Sequence, residues 1–568
     1  MSGPIKTTGA TTKTAMTDMT GVIDMTRHRT TGPVRSAHPA YVTLLPPCNS
    51  TCPAGEDIQG WLALAQDGRD REAWEHLVRD NPFPAIHGRV CYHPCETACN
   101  RAALDNPVSI HAVERHLGDM AGAGGWPLPA PAPASGRRVL VVGAGPSGLS
   151  AAFHLARMGH AVEVHEAGPL PGGMLHFGIP AYRLPRDVLM REIAAIEALG
   201  VRIVLNHKVE DVLAEEAAGG FDAVFVAIGA QAGRHIDIPA RDAAQVVTAI
   251  SLLHEVGAGQ APKLGRRVVV YGAGNTAMDA ARTAKRLGAE DAMIVFFSDR
   301  AHMEAHAFEA AEAEAEGVRI KWLSSIRDIG AHSLQVEIMA LDGHGVPQPT
   351  GRFETLAADA VVLALGQQAE SAFLAHVPGI ELAADGTVVI GADMMTGHPG
   401  IFAGGDLVPS ARTVTAAVGH GKKAARHIDG WLRGQAYAAP AKHPPVGFAD
   451  LHLPIYADAR PSVQSEIAAA LREGFAEVTA GLDARAARHE AQRCLSCGNC
   501  FECDNCYAAC PEEAIIKLGP TRGYGVDMAL CTGCSVCVEQ CPCHAMEMVP
   551  EPPPVVVSGP VPSVELPA

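Results

Sequence analysis

Hydrophobic and polar positions change rhythm several times along the chain. Residues 1–45 are Thr-rich and weakly apolar, with no helical or alternating stripe, and predict a loose arm. Over 46–125 apolar residues recur at helical spacing, as in DIQGWLALAQDG and REAWEHLVRD, which predicts a helical domain. The breaker-rich stretch AGAGGWPLPAPAPASG closes it and supplies a linker over 126–136. From Arg137 to about residue 435, short β-type runs such as VLVV, VFVAIG and VVLALG alternate with amphipathic helices. That alternation predicts an α/β architecture on largely parallel sheets. A polar, Pro-containing stretch at 436–490 reads as a second linker, and a cysteine-dense segment fills 491–550. The tail 551–568 has no pattern that could pack.

Composition narrows the function classes. At 568 residues the chain is long enough for three or four domains. Its formal net charge of −17, with no basic stripe to offset it, argues against a nucleic-acid partner. No apolar run approaches the ~18–20 residues that cross a bilayer. The N-terminus lacks the apolar core of an export signal, so the expected compartment is the cytoplasm. Thiols stay reduced there, and the 16 cysteines point to metal or cluster ligation rather than disulfides.

Two strand–turn–helix units repeat one design. RRVLVVGAGPSGLSAAFHLARMGHAVEVHEA places Gly143, Gly145 and Gly148 between a buried strand and a helix, with a second strand ending at Glu166. Such glycines allow a tight turn and close backbone approach, so a pyrophosphate can sit on the helix N-terminus while the acid takes a ribose hydroxyl. RRVVVYGAGNTAMDAARTAKRLG repeats this at Gly272 and Gly274, followed by Asn275, Thr276 and Ala277. Its next strand, AMIVFF, ends at Ser298, Asp299 and Arg300. Two such units suggest a flavin and a nicotinamide exchanging hydride, the bland alternative being Rossmann-like folds that bind nothing.

The C-terminal cysteines also come twice. Cys500-x2-Cys503-x2-Cys506-x3-Cys510-Pro recurs 31 residues later as Cys531-x2-Cys534-x2-Cys537-x3-Cys541-Pro. This is the two-cluster ferredoxin spacing, in which the fourth Cys of each run serves the other cluster. One 4Fe–4S cluster then takes Cys500, Cys503, Cys506 and Cys541, and the other takes Cys531, Cys534, Cys537 and Cys510. Zinc ribbons are the competing use of C-x2-C pairs.

Further motifs carry a family resemblance. GIFAGGDLVPSARTVTAAVGHGKKAA resembles the closing flavin motif of the two-dinucleotide-binding flavoproteins, with Asp406 at the ribityl chain and a helix starting near Thr413 aimed at the flavin ring. With PGGMLHFGIPAYRLP, which contains Gly173 and Met174, and GRVCYHPCETACN, the chain over about 46–435 is similar to the glutamate synthase small subunit and the matching half of dihydropyrimidine dehydrogenase. The resemblance implies FAD on 137–261 and 363–435, with an NAD(P) domain inserted at 262–362. These two Rossmann-like domains would follow an α-helical Fe–S domain and precede a small ferredoxin-like α+β domain. It also implies one cluster on Cys48 and Cys52 from PPCNSTCP together with Cys494 and Cys497 from HEAQRCLSCG. A second would use Cys91, Cys95 and Cys99, with Glu114, seven residues after Pro107, as fourth ligand. Local zinc, idle thiols and a solvated Glu114 stay open as alternatives. Cys543 is left over, and His87, His93 and His111 show no ligand spacing. NADPH-using members carry Tyr-Arg-Arg where Phe297 and Ser298 stand here; Asp299 favours NADH, while Arg300 leaves NADPH open.

Residues 100–493 contain no cysteine, which argues against a disulfide reductase on this fold. The expected activity is two-electron to one-electron conversion, linking NAD(P)(H) through FAD and 4Fe–4S clusters to a partner redox enzyme or ferredoxin. A 2-oxoacid:acceptor oxidoreductase of the phenylglyoxylate dehydrogenase type is the first expectation for that partner. A glutamate synthase or dissimilatory sulfite reductase system is the second. A redox-sensing interaction protein that turns nothing over is a reading from another class.

Overall fold

The computed structural model describes residues 35–233, 238–239, 245–453, 458–519 and 522–551. The chain divides into two compact units, one made of residues 43–499 and the other of the two chain ends.

In the larger unit, the first glycine fingerprint sits in a five-stranded parallel sheet. Its order is Ile401–Ala403, Ala223–Val226, Arg138–Val142, Ala161–His165 and Arg202–Val204. The central strand, Arg138–Val142, is buried from Val139 onward, as a parallel strand covered on both faces must be. Helices Pro146–Arg157 and Val414–Leu432 cross closely on one face. Gly421 permits that approach: a Cβ there would lie 2.2 Å from the Ser147 carbonyl oxygen. Ser150 Oγ donates to the Val418 carbonyl at 2.8 Å across the same crossing.

A second parallel sheet carries the second fingerprint, in the order Arg319–Lys321, Asp291–Val295, Arg267–Tyr271, Ala360–Leu363 and Gln245–Thr248. Gln245–Thr248 and the helix Ala249–Gly257 fall within the expected flavin segment 137–261, yet the strand pairs with Ala360–Leu363 and closes the edge of the nicotinamide sheet. The insertion therefore begins earlier than 262. Its boundary follows from a pairing that local sequence does not encode. An antiparallel sheet of Ser324–Ile329, Ser333–Leu341 and Pro347–Ala357 flanks this layer.

Residues 46–125 are helical as expected, with Trp61, Leu62, Trp74, Leu77 and Leu117 forming their core. Ala491, from the helix Ala484–Gln492, joins that core with no exposure. The stretch 436–490 is thus a linker for only part of its length.

The smaller unit contains short helices at Asn505–Ala509 and Val536–Glu539 and a hairpin of Ile515–Lys517 with Tyr524–Val526. Ala37–Tyr41, placed by pattern in the loose arm, is a strand here and pairs antiparallel with Met546–Pro550. Residues 1–34 of the expected arm and 552–568 of the expected tail lie outside the described residues.

Gly421→Val forces a branched side chain into the helix crossing, and overpacking of this kind costs about 1–3 kcal/mol. Chemical denaturation of the variant should show that loss as a lower midpoint with unchanged slope.

Candidate active site and cluster ligands

Each glycine turn keeps the space its motif calls for. Gly143 adopts φ 103°, and a Cβ there would lie 2.6 Å from the Ala227 carbonyl oxygen. Gly148 packs under the turn, where a Cβ would meet the Gly143 carbonyl at 2.0 Å, while a Cβ on Gly145 would enter open space. Glu166, at the end of the neighbouring strand, accepts N–H bonds from Ala144 and Gly168, both at 2.8 Å. The second turn repeats this: Gly272 has φ 130° with the Ala364 carbonyl oxygen 2.2 Å from a Cβ, and Gly274 is open. Ala277 is wholly buried in the helix that follows.

One cavity of about 970 Å³ joins the two turns. Gly143, Gly145 and Glu166 line it from the first unit, and Asn275 and Thr276 from the second. Gly173, Met174, Asp406 and Thr413 complete the flavin side. The volume is at the upper end for small-molecule sites. Thr413 caps the helix Val414–Leu432, its Oγ1 accepting the Ala416 N–H at 3.2 Å, and the first turn of that helix lines the cavity at Thr413, Val414 and Ala417. Burial raises the Asp406 carboxyl above the usual range. These residues suit an extended dinucleotide. Ser298 and Asp299 do not line the cavity: Ser298 is buried, and Asp299 Oδ1 accepts from the His302 backbone N–H at 3.2 Å and pairs with its ring at 2.6 Å.

Val90 and Tyr92, on either side of Cys91, also line the cavity. Thr415, on the first turn of the capped helix, donates its hydroxyl to Cys91 Sγ at 3.1 Å. The cysteine-bearing helical region therefore abuts the flavin side directly. Arg183 spans the same cleft, pairing with Asp279 at 2.8 Å and Glu309 at 2.6 Å, both from the nicotinamide region.

The thiols group differently from the sequence expectation. Cys48, Cys99, Cys494 and Cys497 surround one small cavity. Cys52 instead has Glu56, Glu114 and Cys91 as its charged neighbours, and Cys95 lies near Cys91 and Cys52, with Cys48 next in order. Cys48 and Cys52 part because the Pro47–Thr51 helix ends at Cys52, whose extended backbone turns its side chain to the other side. Cys99 follows the short helix Pro94–Thr97 by two residues and is likewise extended, as the cap of the turn Asn100–Ala103. All sixteen thiols are free of disulfides. Burial and neighbouring sulfurs push Cys494 up to about 12 and Cys497 up to about 11. Thiols so crowded ionise together only around a cation, which is the chemistry of an iron–sulfur ligand set.

Glu114 is buried, not solvated. Asn81 Nδ2 donates to Glu114 Oε1 at 2.9 Å and to Glu56 Oε1 at 3.0 Å, and His87 lies within the group. His93 and His111 stack at 3.8 Å, with His111 held by Glu96. In the smaller unit, Cys500 lies against Cys506, Cys541 and Cys503, and Cys537 against Cys510, Cys534 and Cys531.

Residues 137–421 match the family model for pyridine nucleotide-disulphide oxidoreductases. The chain belongs to that family. Residues 37–126 match the 4Fe–4S domain II of dihydropyrimidine dehydrogenase. The beta subunit of an NADP(+)-dependent formate dehydrogenase from Moorella thermoacetica is 38% identical over 502 residues, covering 79% of this chain and 70% of that protein. An NADPH–Fe(3+) oxidoreductase beta subunit from Geobacter sulfurreducens is 32% identical, covering 79% and 75%. The glutamate synthase small chain of Azospirillum brasilense is 33% identical, covering 70% and 88%. The protein is therefore an oxidoreductase of the FAD, NAD(P) and 4Fe–4S type. No described helix is long and apolar enough to cross a membrane.

Sequence reasoning missed Thr415, although its place two residues after the capping Thr413 is a signal, since a first-turn hydroxyl points where the helix points. It also missed Arg493. That side chain is buried and bonds Glu490 Oε2 at 3.0 Å, Asp105 Oδ1 at 3.1 Å and the carbonyls of Asn106 and Pro107. Arg101 returns a bond to the Arg493 carbonyl at 2.8 Å. Arg493→Met leaves the buried Glu490 with backbone N–H partners but no counter-charge, while Asp105 keeps Arg101, and should cost about 3–5 kcal/mol of stability. Iron analysis of the same variant should show a loss of about four irons relative to wild type.

Proposed function

We propose that this oxidoreductase passes electrons between NADH and a separate redox subunit through four 4Fe–4S clusters. The observation that carries this reading is the hydroxyl of Thr415 on Cys91 Sγ, because it joins the dinucleotide cleft to the cysteine ligands with no intervening layer. One cluster is held by Cys52, Cys91, Cys95 and Glu114. The next is held by Cys48, Cys99, Cys494 and Cys497. The ferredoxin runs supply the remaining two. Bound flavin supplies the exchange between the two-electron nicotinamide and one-electron carriers.

The chain's own residues position and exclude. The first glycine turn and the helix start at Asn275 and Thr276 both line the cavity that would take the dinucleotides, and Arg183 with Asp279 and Glu309 holds the nicotinamide region against the flavin side. Thr415 donates to a cluster thiolate, and Asn100 Nδ2 does the same for Cys497 at 3.4 Å. Hydride exchange between well-placed rings needs orientation more than acid–base groups.

The nicotinamide preference rests on the strand end at 296–300. Phe297 and Ser298 carry no charge, and Arg300 is already paired with Glu314 at 2.9 Å. Asp299 stands at the end of that strand, where an acid suits a free ribose hydroxyl rather than a 2′-phosphate, and this supports NADH even though several relatives are named for NADP(H). As for the partner, those relatives' names support a catalytic subunit such as a formate dehydrogenase, and the 2-oxoacid partner draws no support from them.

Anaerobic addition of NADH should bleach flavin and cluster absorbance together and drive dye reduction. Bleaching of flavin alone would contradict the reading. The ratio of kcat/KM for NADH over NADPH should exceed one, and Ser298→Arg should lower it about tenfold or more; a wild-type preference for NADPH would overturn the cofactor assignment. Cys99→Ser and Cys494→Ser should remove the same EPR component. Cys52→Ser and Cys91→Ser should remove a different one, and any other pairing contradicts the ligand sets.

A further inference from the structure

The two ferredoxin runs are matched almost atom for atom in their backbone donors. Cys500 and Cys531 each receive an N–H from two residues on, Glu502 and Gly533. Cys506 and Cys537 receive one from Tyr507 and Val538. Cys510 and Cys541 receive theirs from Ala514 and Ala545, both at 3.2 Å. Every pair keeps the 31-residue offset of the repeat. Two clusters so alike would have similar potentials, because hydrogen bonds to sulfur are one of the main determinants of the potential.

Tyr41 breaks the match. It ends the strand Ala37–Tyr41, opposite Met546, and its hydroxyl lies 3.1 Å from Cys506 Sγ. Its ring stacks with Tyr524 at 6.3 Å, so its orientation is held by packing. A sulfur that ligates a cluster is a thiolate with no proton to give, so at this distance the phenol hydroxyl is the donor. Among the described residues no side chain donates to the sulfur of Cys510, Cys531, Cys534 or Cys537. Cys543 adds a second asymmetry on the same side, its thiol 3.8 Å from that of Cys541.

We infer that Tyr41, delivered by the N-terminal strand, raises the reduction potential of the cluster on Cys500, Cys503, Cys506 and Cys541 above that of its twin. Reduction adds one electron and one negative charge to the cluster and its sulfurs, and a donor aimed at a sulfur stabilises the more negative state. No bond or proton changes place. An electron shared between the twins then rests on the Tyr41 side, which gives the pair a direction that the repeated sequence lacks. The inference depends on the ferredoxin runs holding two 4Fe–4S clusters.

The test is an anaerobic redox titration of the full chain followed by EPR, with iron and sulfide measured on each sample. Tyr41→Phe keeps the ring stack and removes the donor. One one-electron component should move to lower potential, its reduced-to-oxidised ratio at fixed potential falling about three- to tenfold, where tenfold corresponds to 59 mV. The other components should stay. Incorporating 3-fluorotyrosine at position 41, a stronger donor of nearly the same size, should move the same component upward, and it decides the matter if Tyr41→Phe loses iron. Unchanged potentials in both variants with full iron content would overturn the role of Tyr41. A wild-type chain without ferredoxin-type irons would overturn the cluster reading beneath it.

Discussion

The buried guanidinium of Arg493 is the contact on which the cluster region depends. It lies one residue before Cys494 and closes on Glu490, Asp105 and two carbonyls of the 105–107 loop. Glu490 in turn accepts the backbone N–H groups of Ser109 and Ser462 at 2.9 and 2.6 Å. A charge this deeply buried is tolerated only when fully paired, so the clasp holds one geometry rather than a family of them. Through it, nearly four hundred residues of intervening chain are closed into a loop, and Cys494 and Cys497 arrive beside Cys48 and Cys99. The paired cysteines near the end of the chain share one small cavity with two from near its start, the ligand set we propose.

From that set outward the construction is continuous. Cys52 leaves its helix toward Glu114 and Cys91, and Cys91 meets Thr415 at the flavin side of the dinucleotide cleft. Lys422, on the same helix as Thr415, is buried and donates to the carbonyls of Ala54 and Gly55 just beyond Cys52. One helix thus presents its N-terminus to the cofactor cleft and anchors the cysteine loop along its side. Electron transfer rewards short and rigid separations, and this geometry achieves both with packing rather than with flexible links.

Much of this was legible because dinucleotide turns and ferredoxin runs are local. Gly143, Gly148 and Gly272 are constrained by contacts within a few residues or just beyond the adjacent strand. The grouping we propose for the N-terminal cysteines differs from the one the motifs implied, and the sequence carries a sign of it. Cys48-x3-Cys52-Pro ends as Cys506-x3-Cys510-Pro does, so Cys494, Cys497, Cys48 and Cys52 have the spacing of one ferredoxin-type run cut between the two ends of the chain. The crossing rule then sends Cys52 to the other cluster. What local sequence could not reveal depends on distant pairing: the edge strand Gln245–Thr248, and the Ala37–Tyr41 strand whose partner is more than five hundred residues away. Short strands like these gain their stability from the partner, not from their own propensity.

The most direct measurement is iron and acid-labile sulfide per FAD in protein purified without oxygen, in wild type and in Cys494→Ser/Cys497→Ser. Four clusters require about sixteen irons per flavin, and the double variant should hold about twelve with its flavin retained. A wild-type value of about eight, or a double variant indistinguishable from wild type, would contradict a cluster built from both ends of the chain.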